Sequence, residues 1–279
     1  MMEGDALLDR IGQDLAAARL APFLGPGILG AVGVSGIPDS SRALVFALNA
    51  RIAVPGRVRG NLWEAAQWIE TYKHRVTLVR ALQALFEARP EPSPFHRWLA
   101  GLGSPLIVDG WYDGLMADAL VGANRSFAQI QGVRRSGQSR EEDWVAVYDE
   151  NGVRREEAGL EQVGTILYKP HGGIRPAANF LVSDSDYVEV LTEIDIQTPI
   201  PEIVTARRAS LGFVFLGQRF HDQMQRIFAR QIVKRSQGPY YAVIEGALSR
   251  NEARFAEQQG IVIIDMPLPR ALARLMDAA

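Results

Sequence analysis

Short apolar runs separated by helix-period stretches constrain the fold of this chain more than any other feature. The runs fall at 20–24, 106–108, 165–168, 211–216, 240–244 and 261–265. Each is only a few residues long, mostly Val, Ile, Leu and Phe, and nearly continuous rather than alternating with polar residues. Strands of that kind are buried on both faces, which requires a parallel sheet covered by helices on either side. The segments between them carry helical spacing at 40–52, 51–90, 221–232, 250–259 and 269–278. The expected class is therefore α/β, a parallel sheet with helices on both faces.

Within that frame, the whole chain 1–279 reads as one domain with two interruptions. The first, 50–94, is a helical insertion after the first β-α unit. It shows Trp63, Ala66, Ile69 and Tyr72 three residues apart and ends in Pro90-Glu91-Pro92-Ser93-Pro94. The second, 122–164, is the most polar stretch. Asp149-Glu150-Asn151-Gly152 lies there between two strand-like segments, which predicts a hairpin.

Composition narrows the partners. A formal net charge of -2 provides no general attraction for nucleic acid or an anionic membrane. No apolar run is long enough to span a bilayer, and residues 1–20 read as an amphipathic helix rather than a leader, so a cytoplasmic location is expected. The absence of cysteine excludes disulfides and thiolate zinc sites, and no metal site is expected.

Gly25-Pro26-Gly27-Ile28-Leu29-Gly30 follows the first strand with the spacing G-x-G-x-x-G. In Rossmann-type folds, glycines so placed let a pyrophosphate approach backbone amides and a helix N-terminus. A plain strand-to-helix turn explains the same residues, and Pro26 contributes no N–H. Ser35-Gly36-Ile37-Pro38-Asp39 and Arg42 come next. Together with the glycine loop they resemble the opening motifs of sirtuins and sirtuin-like NAD hydrolases, with Ser40-Ser41 where that family has a single Phe.

Further segments keep the family order. Pro94-Phe95-His96-Arg97-Trp98-Leu99 resembles its P-x-x-H-x-x-L, and Lys169-Pro170-His171-Gly172-Gly173 its L-H-G. The segment 183–187 resembles a D-Y motif of the zinc-free branch. Phe215-Leu216-Gly217 with Asp222 resembles that branch's F-L-G-x-x-x-x-D.

The resemblance implies a site for NAD or ADP-ribose, with Gly25, Gly27, Gly30, Ser35, Asp39, Arg42, Gly217 and Asp222 as cofactor-binding residues. It implies His171 as a cleft histidine able to act as general base. The two C-x-x-C pairs of the deacylase branch are missing, so the resemblance is to the zinc-free branch, which includes bacterial NAD-cleaving defence proteins.

The family's T-x-N-x-D strand end corresponds to Asp109-Gly110-Trp111-Tyr112-Asp113, with Trp111 at the Asn position. An indole donates one hydrogen bond and accepts none, whereas a carboxamide does both. Weak or lost NAD hydrolysis is the expectation, with Asp109, Trp111, Asp113 and His171 as the catalytic positions. An active NAD glycohydrolase, with Asp109 replacing the Asn, is the alternative. A third reading is an interaction protein with an empty cleft, and a homo-oligomer or a protein partner stays open.

Overall fold

The computed structural model describes residues 2–133, 144–188 and 200–278. Its centre is a nine-stranded sheet in the order β11-β10-β9-β1-β2-β6-β3-β4-β5. Those strands are β1 (Leu20–Leu24), β2 (Leu106–Asp109), β3 (Phe127–Gly132), β4 (Val145–Tyr148), β5 (Arg154–Arg155), β6 (Thr165–Lys169), β9 (Gly212–Leu216), β10 (Tyr240–Val243) and β11 (Ile261–Ile264). β11 through β3 are parallel, and β4 and β5 add antiparallel strands at the β3 edge. The small pair β7 (Gly172–Gly173) and β8 (Asn179–Phe180) stands apart from the sheet. The α/β parallel sheet read from the apolar runs is the observed architecture.

Side-chain alternation explains the two covered faces. Leu20, Leu24, Val214 and Leu216 point to one side, where they join Leu8, Ile11, Leu15, Leu272 and Leu275 of the first and last helices. Ala21, Phe23, Phe213 and Phe215 point to the other, where Val204, Ala229, Ile232 and Phe255 cover them. Fully buried side chains of this size each contribute roughly 1.5–3 kcal/mol.

β1 is the turning point of the topology. The chain leaves it for β2, β6 and β3 on one side, then returns to β9 on the other. In open α/β sheets, ligands bind outside the carboxyl ends of strands at such a switch point. Here those ends are Leu24-Gly25 and Leu216-Gly217.

A third cluster lies over the carboxyl ends. It joins helices Ser41–Arg51, Leu62–Lys73 and Arg75–Leu85 to Trp111, Tyr112, Phe180, Tyr187 and Phe228. Caps define these helices: Ser40 Oγ accepts from Ala43 N at 3.1 Å and Asn61 Oδ1 from Trp63 N at 3.0 Å. The helical periodicity over 51–90 is interrupted where the sequence suggested continuity. Residues 52–61 leave the helix, and His74 takes φ +70 between two helices.

The polar stretch 122–164 also hides a sheet strand, β3, buried along its length. Gln129 and Gln131 break its apolar pattern, but their amides donate to the Arg175 carbonyl at 2.7 and 2.6 Å. Buried amides satisfied in this way cost little.

Candidate functional site

The site is built where the turns after β1 and β9 touch. Gly25 N–H donates to Leu216 O at 2.8 Å and Gly27 N–H to Gly217 O at 3.0 Å. Ile28 and Leu29 N–H donate to Gly25 O and Pro26 O, both at 3.2 Å. The amides that a phosphate would use are thus engaged within the protein. The glycines serve backbone-to-backbone contact: a Cβ on Gly25 would collide with the Gly217 carbonyl, and one on Gly27 would lie 2.9 Å from it.

Gly217 itself has φ +69, and a Cβ there would stand 2.5 Å from Ile28 N. Gly217→Ala is therefore expected to lower unfolding free energy by about 1–3 kcal/mol, seen as a fall in Tm. An unchanged melting curve would refute this account of the turn. The third glycine, Gly30, lies under Asp39, whose Oδ2 is 3.0 Å from where a Cβ would be.

Beside these turns lies a cavity of about 10 Å³, roughly the room for one water molecule. Trp111, His171, Trp63, Phe228, Ser41, Gln218 and Gln225 are among its walls. Trp111 is buried, and its Nε1–H donates to the Pro38 carbonyl at 2.8 Å. The indole thereby ties the Ser35–Asp39 segment down over the carboxyl ends of the strands. Ser40 caps its helix, whereas the buried Oγ of Ser41 has no hydrogen-bond partner among the described residues. An orphan hydroxyl on a wall that also carries the Gln218 and Gln225 side chains is a place for a water or a ligand oxygen.

His171 is enclosed on all sides. Its Nδ1 lies 3.1 Å from the Tyr187 hydroxyl, and its ring centroid is 4.3 Å from that of Phe228. Burial, with the Lys169 charge adding to it, lowers the imidazole pKa to about 3. At neutral pH the ring is uncharged and a feeble base, far from the matched pKa that general-base catalysis favours.

That shift has a consequence for stability. The unfolded chain binds this proton near pH 6.5 and the folded chain near 3, so stability is present above 6.5 and declines as pH falls through that window. His171→Gln should remove up to one proton from the slope, ~1.4 kcal/mol per pH unit. Denaturant melts of both proteins between pH 7 and 4 check this, and parallel pH profiles would contradict it.

Asp109 and Asp113 do not reach the cavity. Asp109 Oδ2 pairs with the Lys169 ammonium, and Oδ1 accepts from Trp111 N at 3.0 Å. Burial raises the Asp109 pKa, and the Lys169 charge pulls it back. Asp113 Oδ1 accepts from Leu115 N at 3.0 Å, starting the helix Leu115–Gly122. Asp222 caps the helix Gln223–Val233, accepting from Gln225 N at 2.7 Å. Arg42 is exposed and lines a surface hollow along the helix Ser41–Arg51, apart from the cavity. Ser35 is not a wall of the cavity.

Trp63, Gln225 and Phe228 escaped the motif reading, and Ser41, Tyr187 and the buried Lys169 stood inside quoted motifs without being named as site residues. Tyr187 left its signal in the D-Y segment, and Lys169 left another. A lysine closing an apolar strand needs a buried carboxylate partner. The segment 183–187 is locked in place by Arg75, which pairs with Asp186 at 2.8 Å and Glu70 at 2.9 Å.

In open α/β sheets of this kind the carboxyl ends of the strands at the switch point, here β1 and β9, are where ligands bind. The family model for the SIR2-like domain matches residues 105–264, more than half of the chain. The chain belongs to that family, which points to an NAD-related function. The match spans β2 to β11, so Gly25 to Arg42 lie outside it. No curated protein matches the chain. Among the described residues, no helix is long and apolar enough to cross a membrane, and no group of three His, Asp or Glu could hold a metal ion.

Proposed function

We propose that this protein binds NAD or ADP-ribose at the carboxyl ends of β1 and β9 and hydrolyses NAD slowly or not at all. The observation that carries this reading is Trp111. Its indole occupies the space beside His171, leaves about 10 Å³, and is latched to Pro38. Hydrolysis breaks the bond between ribose C1′ and the nicotinamide nitrogen. Water delivers hydroxide to C1′, and nicotinamide and a proton leave. That needs a held water and an acceptor for its proton. An indole accepts neither, and an imidazole with a pKa near 3 takes a proton poorly.

The residues fit the polar part of a nucleotide better than its nicotinamide end. Ser41 Oγ, with the Gln218 and Gln225 side chains on the same wall, offers polar groups to hydroxyls, while Gly25, Gly27 and Gly217 hold the two turns together beside them. Ser35, Gly30, Asp39, Arg42 and Asp222 act in this reading through the segment and helices they shape. Entry requires the Ser35–Asp39 segment to lift, and Gly33 and Gly36, at φ +72 and +86, are the residues able to absorb such a change.

Calorimetry with NAD and with ADP-ribose, alongside chromatography for nicotinamide, tests the proposal. The expected result is binding of both, ADP-ribose at least as tightly, with little nicotinamide formed. Rapid nicotinamide release abolished by His171→Ala would establish the glycohydrolase instead. No binding of either ligand would leave the interaction-protein reading.

A further inference from the structure

We propose that the outer groove between the helices Gln223–Val233 and Arg250–Gln259 binds a small phosphorylated anion carrying two or more negative charges. The groove is a second site, about 340 Å³ in volume, within the range of small-ligand pockets. Arg226 and Arg230 come from one helix at i, i+4 spacing and Arg254 from the other. Asn251 and Gln258 supply amides at its wall, and the buried ring of Phe255 faces it from below.

The charge arrangement is the argument. Three guanidinium groups line one groove whose wall, among the described residues, contains no carboxylate, in a chain with net charge -2. Overall composition therefore does not account for it. The carboxylates on Arg254's own helix are Glu257, which is exposed and outside the groove wall, and Glu252. Glu252 is committed to Arg219, with both contacts at 2.9 Å. Asp222 caps its own helix through Gln225 N.

Arg226 is also fixed in position. Its Nη1 donates to the carbonyls of Phe220 and His221 at 2.7 and 2.9 Å, which presents the rest of the guanidinium to the groove with little entropy left to lose. An anion seated in the groove gains attraction from all three cations at once. Planar guanidinium forks match phosphate oxygens in pairs, and amide N–H groups add neutral donors.

The first helix has two working faces. Gln225 and Phe228 line the cavity beside His171, while Arg226 and Arg230 line the outer groove. An anion gripping the outer face holds the same rigid element that seats Phe228 on the His171 ring. The groove itself stands without the nucleotide reading of the central cleft.

The test uses inorganic pyrophosphate at constant ionic strength, followed by calorimetry and by the shift in Tm. Wild-type protein should bind it and melt at higher temperature. R230Q/R254Q should bind at least tenfold more weakly, while its ligand-free Tm stays the same or rises. Absence of pyrophosphate binding to wild type would overturn the proposal. So would binding that survives in R230Q/R254Q and is displaced by ADP-ribose, because that places the anion in the central cleft. A single-stranded oligonucleotide that binds this groove more tightly than pyrophosphate, and is lost in the same variant, would overturn it in favour of a nucleic-acid backbone. Failure of NAD and ADP-ribose to bind would leave this result untouched, so the two proposals fail separately.

Discussion

Replacing Lys169 with Met is expected to lower the unfolding free energy by about 3–5 kcal/mol. Lys169 and Asp109 are both buried, and each is the other's charge partner at the carboxyl ends of β6 and β2. Met keeps the length of the stem and removes only the ammonium. Asp109 then loses its counter-charge in a place that water does not reach, although Oδ1 keeps its bond from Trp111 N. The carboxyl responds by taking up a proton near neutral pH, which limits the loss. Against a typical total stability of 5–15 kcal/mol, the variant remains folded with a much lower denaturation midpoint.

The double variant Asp109→Asn/Lys169→Met removes both charges and keeps the acceptor for Trp111 N, so most of the loss should be regained. Urea melts at pH 7 measure both values. A single variant within 1 kcal/mol of wild type, or a double variant no better than the single, would show that the pair does not hold this corner together.

The second large effect is expected at Trp111. Trp111→Asn removes an indole packed edge-on against Phe86 at 6.0 Å and tilted against Tyr112 at 5.1 Å. The cost in stability is about 3–5 kcal/mol, that of truncating a large aromatic side chain in a core. In exchange the space beside His171 opens and the bond to Pro38 is lost, freeing the Ser35–Asp39 segment. A carboxamide can accept from a water and donate to a ribose hydroxyl, two roles an indole does not combine. Nicotinamide release should rise at least tenfold over wild type, and His171→Ala in that background should remove the gain.

Trp111→Phe separates the causes. It lacks the N–H that holds Pro38 but also lacks the carboxamide, so it should leave release at the wild-type level while ADP-ribose binds more tightly. If folded Trp111→Asn protein binds ADP-ribose yet releases no more nicotinamide than wild type, the indole is not what limits the reaction.

The sequence by itself determined the parallel sheet, because continuous apolar runs such as 106–108 and 211–216 have no other stable use than strands covered on both faces. It also determined the glycines at 25, 27 and 217, although their reason was hidden. Spacing suggests a phosphate cradle, whereas the folded turns press on each other and use their own amides.

Tertiary structure alone decided the surroundings of the candidate site residues. β3 was obscured because Gln129 and Gln131 look exposed until Arg175 supplies a carbonyl acceptor some forty residues away. Asp109 read as a candidate substitute for the missing Asn, but Lys169, sixty residues on, engages it in a buried pair away from the cavity. Trp111 read as a lost catalytic group, and the fold adds that its N–H fastens Pro38, seventy-three residues earlier. Local spacing reports which face of a strand or helix is apolar. Which partner satisfies a buried charge or N–H is fixed only when distant segments meet, because such a group can be buried only where its partner already stands.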